Sequence, residues 1–352
     1  YLNFKNGVLC VSNGDFFAHQ KDKAFRYVLN HDYDKNAECK TFDKFLAEVT
    51  GGQAELQNII LSFFGYALSN DPCWYHKALF LEGEGRNGKS TLLKVLKLLA
   101  GTGNYAALAV KQLSDDFSVQ NLDGKLFNLT EEVPSKESLA DDRFKAMVAG
   151  GDVLVSKKFK TPYTMRNKAK FIFSANRLPR TSDTSNGYLE RLIVIPFTQK
   201  FTHELGNIDP NIDEKLAKEL PGIFNRVLAG YRSMRERGGI DLNSTVRAAI
   251  EDYRKQIDPL HSWMEEYLEV LPLSNDSAHV PFCSNDDLYD GYRNRMETGS
   301  EKLLGRQEFL THLKRLIPDG KDREAQKRPA PRQNAKRGLL GVRLLSESDR
   351  QF

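Results

Sequence analysis

Residues 83–90 read Gly-Glu-Gly-Arg-Asn-Gly-Lys-Ser, and no other stretch of the chain constrains its fold as tightly. The spacing fits G-x-x-x-x-G-K-[ST], in which glycines let the backbone fold back and aim its N–H groups at phosphate oxygens. The apolar run at 77–81 precedes it and the helix-patterned run at 91–99 follows it. A strand in and a helix out put a helix N-terminus, with its positive partial charge, at the turn. On this reading Gly83, Glu84, Gly85, Arg86, Asn87, Gly88, Lys89, Ser90 and Thr91 cradle the phosphates of ATP. Lys89 reaches the β- and γ-phosphates, and the Ser90 hydroxyl ligates Mg²⁺. The plain alternative is a glycine-rich turn before a surface helix, and the flanking patterns count against it.

The 352 residues allow two or three domains, each with its own core. A net charge of +4 is modest, so the basic residues matter through where they cluster. Cys10, Cys39, Cys73 and Cys283 lie far apart without a C-x-x-C pair, which argues against a zinc site and for a reducing compartment, an intracellular one such as a host cytoplasm. No secretory signal and no apolar run of membrane-spanning length occur. The first residue, Tyr1, sits inside a strand-like run, so the chain is expected to be a fragment of a longer protein.

Residues 1–70 open with strand signals at 2–4 and 7–11, then show helical periodicity at 41–49 and 54–68. Residues 71–200 alternate helical runs with strand candidates at 78–81, 126–129, 170–174 and 192–195. That alternation predicts an α/β fold with a mostly parallel sheet covered by helices. Residues 201–257 read as helices at 212–220, 223–235 and 245–256. From 258 to 352 helical stretches at 261–270, 285–297 and 306–316 precede a basic, proline-containing segment at 321–338 and an apolar run at 339–345.

Nucleotide hydrolysis also needs carboxylates, one to hold Mg²⁺ and one to polarise water. The strand at 126–129 runs into Thr130-Glu-Glu132, so Glu131 and Glu132 are expected at its carboxyl end, where open α/β sheets place ligands. The strand 170–174 leads to Asn176, an amide able to bond both the γ-phosphate and the attacking water. Arg191 directly precedes another buried strand. It can reach a neighbouring subunit's γ-phosphate, or else form a surface ion pair with Glu190.

Two basic clusters fit nucleic acid. From Val153 to Lys170 there are six basic residues and no acid, in a strand–tip–strand pattern that predicts a β-hairpin. At its tip Lys157, Lys158 and Lys160 flank Phe159, cations for phosphate beside a ring for stacking. The second cluster holds Lys327, Arg328, Arg332, Lys336, Arg337 and Arg343. Helices before a basic β-ribbon suggest a winged helix. A disordered basic connector is the competing reading there.

Phosphate loop, acidic strand, basic hairpin, strand-borne Asn and strand-preceding Arg, in that order, resemble the superfamily 3 helicases of the AAA+ ATPases. The likeness is nearest to the primase–helicases of phages, satellite phages and poxviruses. It rests on Phe4-Lys-Asn-Gly-Val8, on Gly83 to Thr91, on Phe173-Ser-Ala-Asn-Arg-Leu-Pro179, on Arg191 and on Ile195-Pro-Phe197. The resemblance implies an AAA+ core, an N-terminal helical region and a C-terminal winged-helix-like domain. It implies a ring, usually a hexamer, acting on single-stranded and forked duplex DNA, with a primase or polymerase domain upstream. Lys89 and Ser90 would hold phosphates and Mg²⁺, Glu131 and Glu132 the metal and the water, Asn176 the sensor position and Arg191 the trans-acting finger. Lys158 and Phe159 match the hairpin tip. Many relatives carry two basic residues where this chain has Glu190-Arg191, so Arg177 and Arg180 stay open as fingers, and which acid binds metal stays open too. An ATPase that melts or loads an origin, or an initiator module using ATP only to assemble, would share these features.

Overall fold

The computed structural model describes residues 1–134, 141–156, 161–179, 181, 183–273, 280–296, 303–327, 334–346 and 349. The chain divides into two compact units, Tyr1–Tyr253 and Arg254–Phe352. The first begins with a small antiparallel sheet of β1 (Leu2–Phe4), β2 (Gly7–Leu9) and β3 (Phe16–Phe17). Helices α1 (Lys40–Val49) and α2 (Ala54–Leu68) follow. In α1 Phe42, Phe45, Leu46 and Val49 fall at i, i+3, i+4 and i+7, so a single stripe is buried. Then come β4 (Ala78–Glu82), α3 (Lys89–Ala100), β5 (Tyr105–Ala106), α4 (Asp116–Val119) and β6 (Phe127–Val133). Next are α5 (Asp141–Val148), β7 (Asp152–Val155), β8 (Tyr163–Arg166) and β9 (Lys170–Ala175). The unit ends with α6 (Asn186–Leu189), β10 (Leu192–Pro196), α7 (Ile212–Lys218), α8 (Leu220–Arg237) and α9 (Ser244–Ile257), which runs on past Tyr253.

Among the described residues β10, β4, β9, β6 and β5 pair in that order, every pair parallel. The expected mostly parallel α/β sheet is present, and it is buried on both faces. Leu79, Leu81, Ile172, Ile193 and Ile195 join one core with α1, α2, α3 and α8. On the other face Phe171 and Phe173 meet Phe144 of α5, and Phe144 meets Tyr188 of α6. Because both faces are covered, the strands read as unbroken apolar runs. Helix α2 packs closely on α8: a Cβ on Gly65 would fall 2.4 Å from Tyr231 Cβ, and one on Gly230 would fall 2.8 Å from the Ser62 nitrogen. These two glycines let the helix backbones approach.

Glu131 and Glu132 are the fifth and sixth of the seven residues of β6, toward its carboxyl end. The ladder to β9 shifts register between Thr130 and Val133, which leaves the two acids at a local irregularity. Strands β7 and β8 form the expected hairpin, Val155 opposite Tyr163. Its tip, with Lys157, Lys158, Phe159 and Lys160, lies outside the described residues, as does Arg180.

The second unit contains α10 (Pro259–Tyr267), β11 (Leu268–Val270), β12 (Phe282–Ser284), α11 (Asn285–Met296), α12 (Arg306–Leu316), β13 (Glu324–Lys327), β14 (Lys336–Leu340) and β15 (Val342–Leu344). The helix expected over 261–270 therefore stops at Tyr267 and gives way to β11, which pairs with β15. The apolar run at 339–345 is two strand ends around Gly341, whose φ of +67° turns the chain. The core holds Trp263, Leu288, Tyr292, Phe309, Leu313 and Val342. No helix among the described residues is long and apolar enough to cross a membrane.

Lys170, at the start of β9, is fully buried and donates to Ser69 O at 2.9 Å and Asp71 O at 2.5 Å. Burial pushes its ammonium down to about 8 from 10.5. Between those values the unfolded chain binds this proton and the native chain does not, so the contribution to stability rises with pH. The stability difference between wild type and Lys170→Met, from urea denaturation, should move in favour of wild type from pH 8 to pH 10; a difference independent of pH would contradict this.

Candidate functional site

β4 lies between β10 and β9 and delivers residue 82 to the carboxyl edge of the sheet, where Phe197 N–H donates to Glu82 O at 2.7 Å and Gly83 N–H donates to Ala175 O at 3.1 Å. Gly83 follows at φ +150°, and a Cβ there would fall 2.4 Å from Phe197 O. Gly88, at φ +87°, caps α3, and its Cβ would fall 2.4 Å from Val49 Cγ1. Both positions require glycine, whereas a Cβ on Gly85 would meet open space. Arg86 takes a left-handed φ of +63°, and its C=O accepts from Phe201 N–H at 2.8 Å. The N-cap Gly88 has no side chain to cap α3, and of the first-turn N–H groups Lys89 N–H meets Asn87 Oδ1 at 3.5 Å, which leaves the N–H groups of Ser90 and Thr91 for an anion in the loop.

Asn87 and Lys89 are the buried polar residues of the loop. Asn87 Nδ2 donates to Glu84 O at 2.5 Å and to Phe197 O at 3.3 Å. Asn87 Oδ1 accepts from Lys89 Nζ at 3.1 Å, and Nζ also donates to Gly83 O. Burial pushes the pKa of the Lys89 ammonium down from its ordinary value, and the charge of Glu82 opposes that. The ammonium is thus held over the loop by the loop's own carbonyl and amide groups.

Ser90 is exposed one residue on, and it lines a groove with Lys94, Lys97, Tyr105 and Glu131 of about 460 Å³. Glu131 pairs there with Lys97 of α3. The Ser90 hydroxyl and the Glu131 carboxylate are oxygen donors on the lining of this groove, the donor type that Mg²⁺ takes. Glu132 is exposed beside it in the strand. Asn176 is exposed directly after β9, at the edge where Ala175 O meets the loop.

Arg191 stands elsewhere. Leu192 pairs with Ala78, so Arg191 precedes the amino end of β10 while the loop follows the carboxyl end of β4. Five residues at about 3.3 Å each separate the two by roughly 17 Å. Arg191 Nη1 donates to Gly187 O, and its Nε is buried with no hydrogen-bond partner among the described residues. One chain does not bring Arg191 to Lys89.

A cavity of about 350 Å³ adjoins the loop, lined by Phe45, Arg86, Gly88, Thr91, Phe201 and Ile208. Sequence reading missed it, because Phe45 and Phe201 come from distant segments. It missed Glu82 as well, whose carboxylate is half-buried near the charges of Lys89 and Arg177; the one signal in the sequence was an acid directly before the first loop glycine. In the second unit Lys336 and Arg337 are exposed on β14, opposite Lys327 and Gln326 of β13. Arg332 lies outside the described residues.

The fold and the loop define a mixed α/β protein with a P-loop-type core. A family model described as a family of unknown function (DUF5906) matches residues 81–191, and one described as D5 N terminal like matches residues 1–51. The chain is 25% identical over 322 residues to a protein of Acanthamoeba polyphaga mimivirus named "Putative helicase L207/L206". That match takes in 83% of the chain but 32% of the viral protein, so the chain spans about a third of its relative's length. Among solved structures, an apo form of the NrS-1 C-terminal region superposes with a TM-score of 0.59 at 14% identity, covering 92% of this chain and 79% of that one. A second NrS-1 C-terminal structure gives 0.57 at 14%, covering 96% and 82%. At such identities these two share the fold.

Gly88→Ala is expected to destabilise the first unit by roughly 1–3 kcal/mol through the clash with Val49 and the strained φ. Gly85→Ala should change stability by less than about 0.5 kcal/mol. Chemical denaturation of the two variants side by side measures the contrast.

Proposed function

We propose that this chain is an ATP-dependent DNA helicase or translocase of the superfamily 3 AAA+ type. It works as a homo-oligomeric ring, a hexamer, in replication of viral or other mobile DNA. It is the helicase part of a longer primase–helicase. The observation that carries the reading is the separation of Lys89 and Arg191 at opposite ends of one parallel sheet. A site with its phosphate cradle at one edge and its arginine at the other is completed when a second subunit presents its own Arg191.

In this reading ATP enters with its phosphates on the first turn of α3, and Lys89 shifts from Gly83 O to the β- and γ-phosphates. The cavity by Phe45, Phe201 and Ile208 takes the nucleoside, since its volume suits a small ligand and its walls adjoin the loop. Mg²⁺ bound at Ser90 and Glu131 would neutralise charge on the phosphates. Glu132 polarises water, Asn176 orients it, and the partner's finger stabilises developing charge. The β7–β8 hairpin presents Lys157, Lys158, Phe159 and Lys160 to single-stranded DNA. The second unit, with β12, β14 and β13 antiparallel behind α11 and α12, serves as a winged helix whose Arg332, Lys336 and Arg337 grip backbone. The likeness to a viral protein named as a helicase supports the same reading.

Single-stranded DNA should stimulate ATP hydrolysis, and a forked duplex should be unwound; stimulation without strand displacement would point to a loading ATPase instead. Lys89→Ala should lower hydrolysis by at least about a hundredfold, because the phosphates lose their cation in a dry site. Titrating Arg191→Ala subunits into wild type should depress activity more than in proportion. A strictly proportional loss would argue against a shared site.

A further inference from the structure

Glu82 falls outside the glycine pattern, yet three strands end at it. It pairs with Pro196 of β10 on one side and Ala175 of β9 on the other. Its side chain is half-buried, its carboxylate accepts the backbone N–H of Leu178, and it faces the charges of Lys89, Arg177 and Asp252. Leu178 is two residues after Asn176. The next residue is tied down from another element: Pro179 O accepts from the Tyr253 hydroxyl at 2.6 Å, and that hydroxyl lies 3.3 Å from the Tyr188 hydroxyl. Tyr253 is the last residue of the first unit.

The turn 176–179 is therefore held by two side chains, one from β4 and one from α9. A short turn fixed only by its chain ends samples several conformations, and each anchor removes part of that freedom. Glu82 acts on both groups that must be kept in register: its carboxylate accepts the N–H of the turn, and its charge favours the ammonium of Lys89. Burial pushes its carboxyl above the usual carboxylate range, and Lys89 and Arg177 oppose that. A neutral acceptor of the same shape would satisfy the Leu178 N–H equally well.

We propose that Glu82 is a positioning residue, which fixes the turn carrying Asn176 relative to Lys89, with Tyr253 as its second anchor. The proposal rests on the reading of Asn176 as the group that contacts the γ-phosphate and the attacking water. Those contacts tighten as the phosphoryl group transfers, so a misplaced Asn176 slows turnover and spares nucleotide binding.

Steady-state ATP hydrolysis in the full chain separates the roles. Glu82→Ala should lower kcat about ten- to a hundredfold, with KM for ATP within about threefold of wild type. Glu82→Gln, which keeps the acceptor for Leu178, should recover most of the loss, and Tyr253→Phe should lower kcat with KM unchanged. A rise in KM matching the fall in kcat, or a Gln variant no better than Ala, overturns the proposal. Amide hydrogen exchange gives a readout free of catalysis: the Leu178 amide should exchange at least about tenfold faster in Glu82→Ala at an unchanged global melting temperature. Unchanged exchange overturns it. If wild type hydrolyses no nucleotide, the helicase reading falls, while exchange at Leu178 still decides whether Glu82 holds the turn.

Discussion

The carboxyl end of β4 governs the site. There the chain is fixed from both sides, by Phe197 N–H on Glu82 O and by Gly83 N–H on Ala175 O. Backbone hydrogen bonds of a parallel sheet buried on both faces are shielded from water, so they hold their register firmly. The loop leaves this fixed point in one direction, and Gly83 and Gly88 are the residues that let it close back onto α3. With the loop so placed, Asn87 and Lys89 can be buried, since the polar atoms of their side chains have partners within the loop or on Phe197. Buried polar groups of this kind rigidify only when satisfied, and here the loop's own carbonyls satisfy them.

The same sheet spaces the remaining groups. Register with β9 sets Asn176 beside the loop's first residue, and the irregularity in β6 turns Glu131 toward α3 and Lys97. Register with β10 sends Arg191 the other way, to the amino edge. Parallel strands give one sheet two chemically different edges, one lined by loop and acids and the other by an arginine that donates to its own helix. The ring proposed above uses both edges, each subunit supplying the cradle to one neighbour and the arginine to the other.

The two units divide the work in that proposal. The first holds the nucleotide machinery and the hairpin. The second is a small helical and antiparallel body with its own aromatic core around Trp263, Tyr292 and Phe309, and it exposes Lys336 and Arg337 on a strand. The chain leaves the first unit at Tyr253, whose hydroxyl also bonds the turn after Asn176. That contact is local to the first unit, and it is the point at which a change in the turn would first be felt by α9.

What the sequence determined by itself was whatever short-range rules govern. The spacing of glycines with Lys89 and Ser90 announced the loop, because its geometry is made by contiguous residues. The helix over 54–68 was legible to the residue, because apolar content and periodicity within one segment decide it. The parallel sheet was legible from unbroken apolar runs between helices. Tertiary structure decided what depends on residues far apart in the chain. Glu131 and Glu132 read as ending a strand and do lie toward the carboxyl end of β6, but no local pattern reveals that the ladder to β9 breaks at these two residues, between Thr130 and Val133. The helix expected over 261–270 was cut short because β15 offers β11 a partner that no local pattern reveals. The cavity joins Phe45 to Phe201, and the clamp on the turn joins Glu82 and Tyr253 to residues 178 and 179. Composition and period cannot encode such pairs, since they arise only when the sheet fixes which strand ends meet.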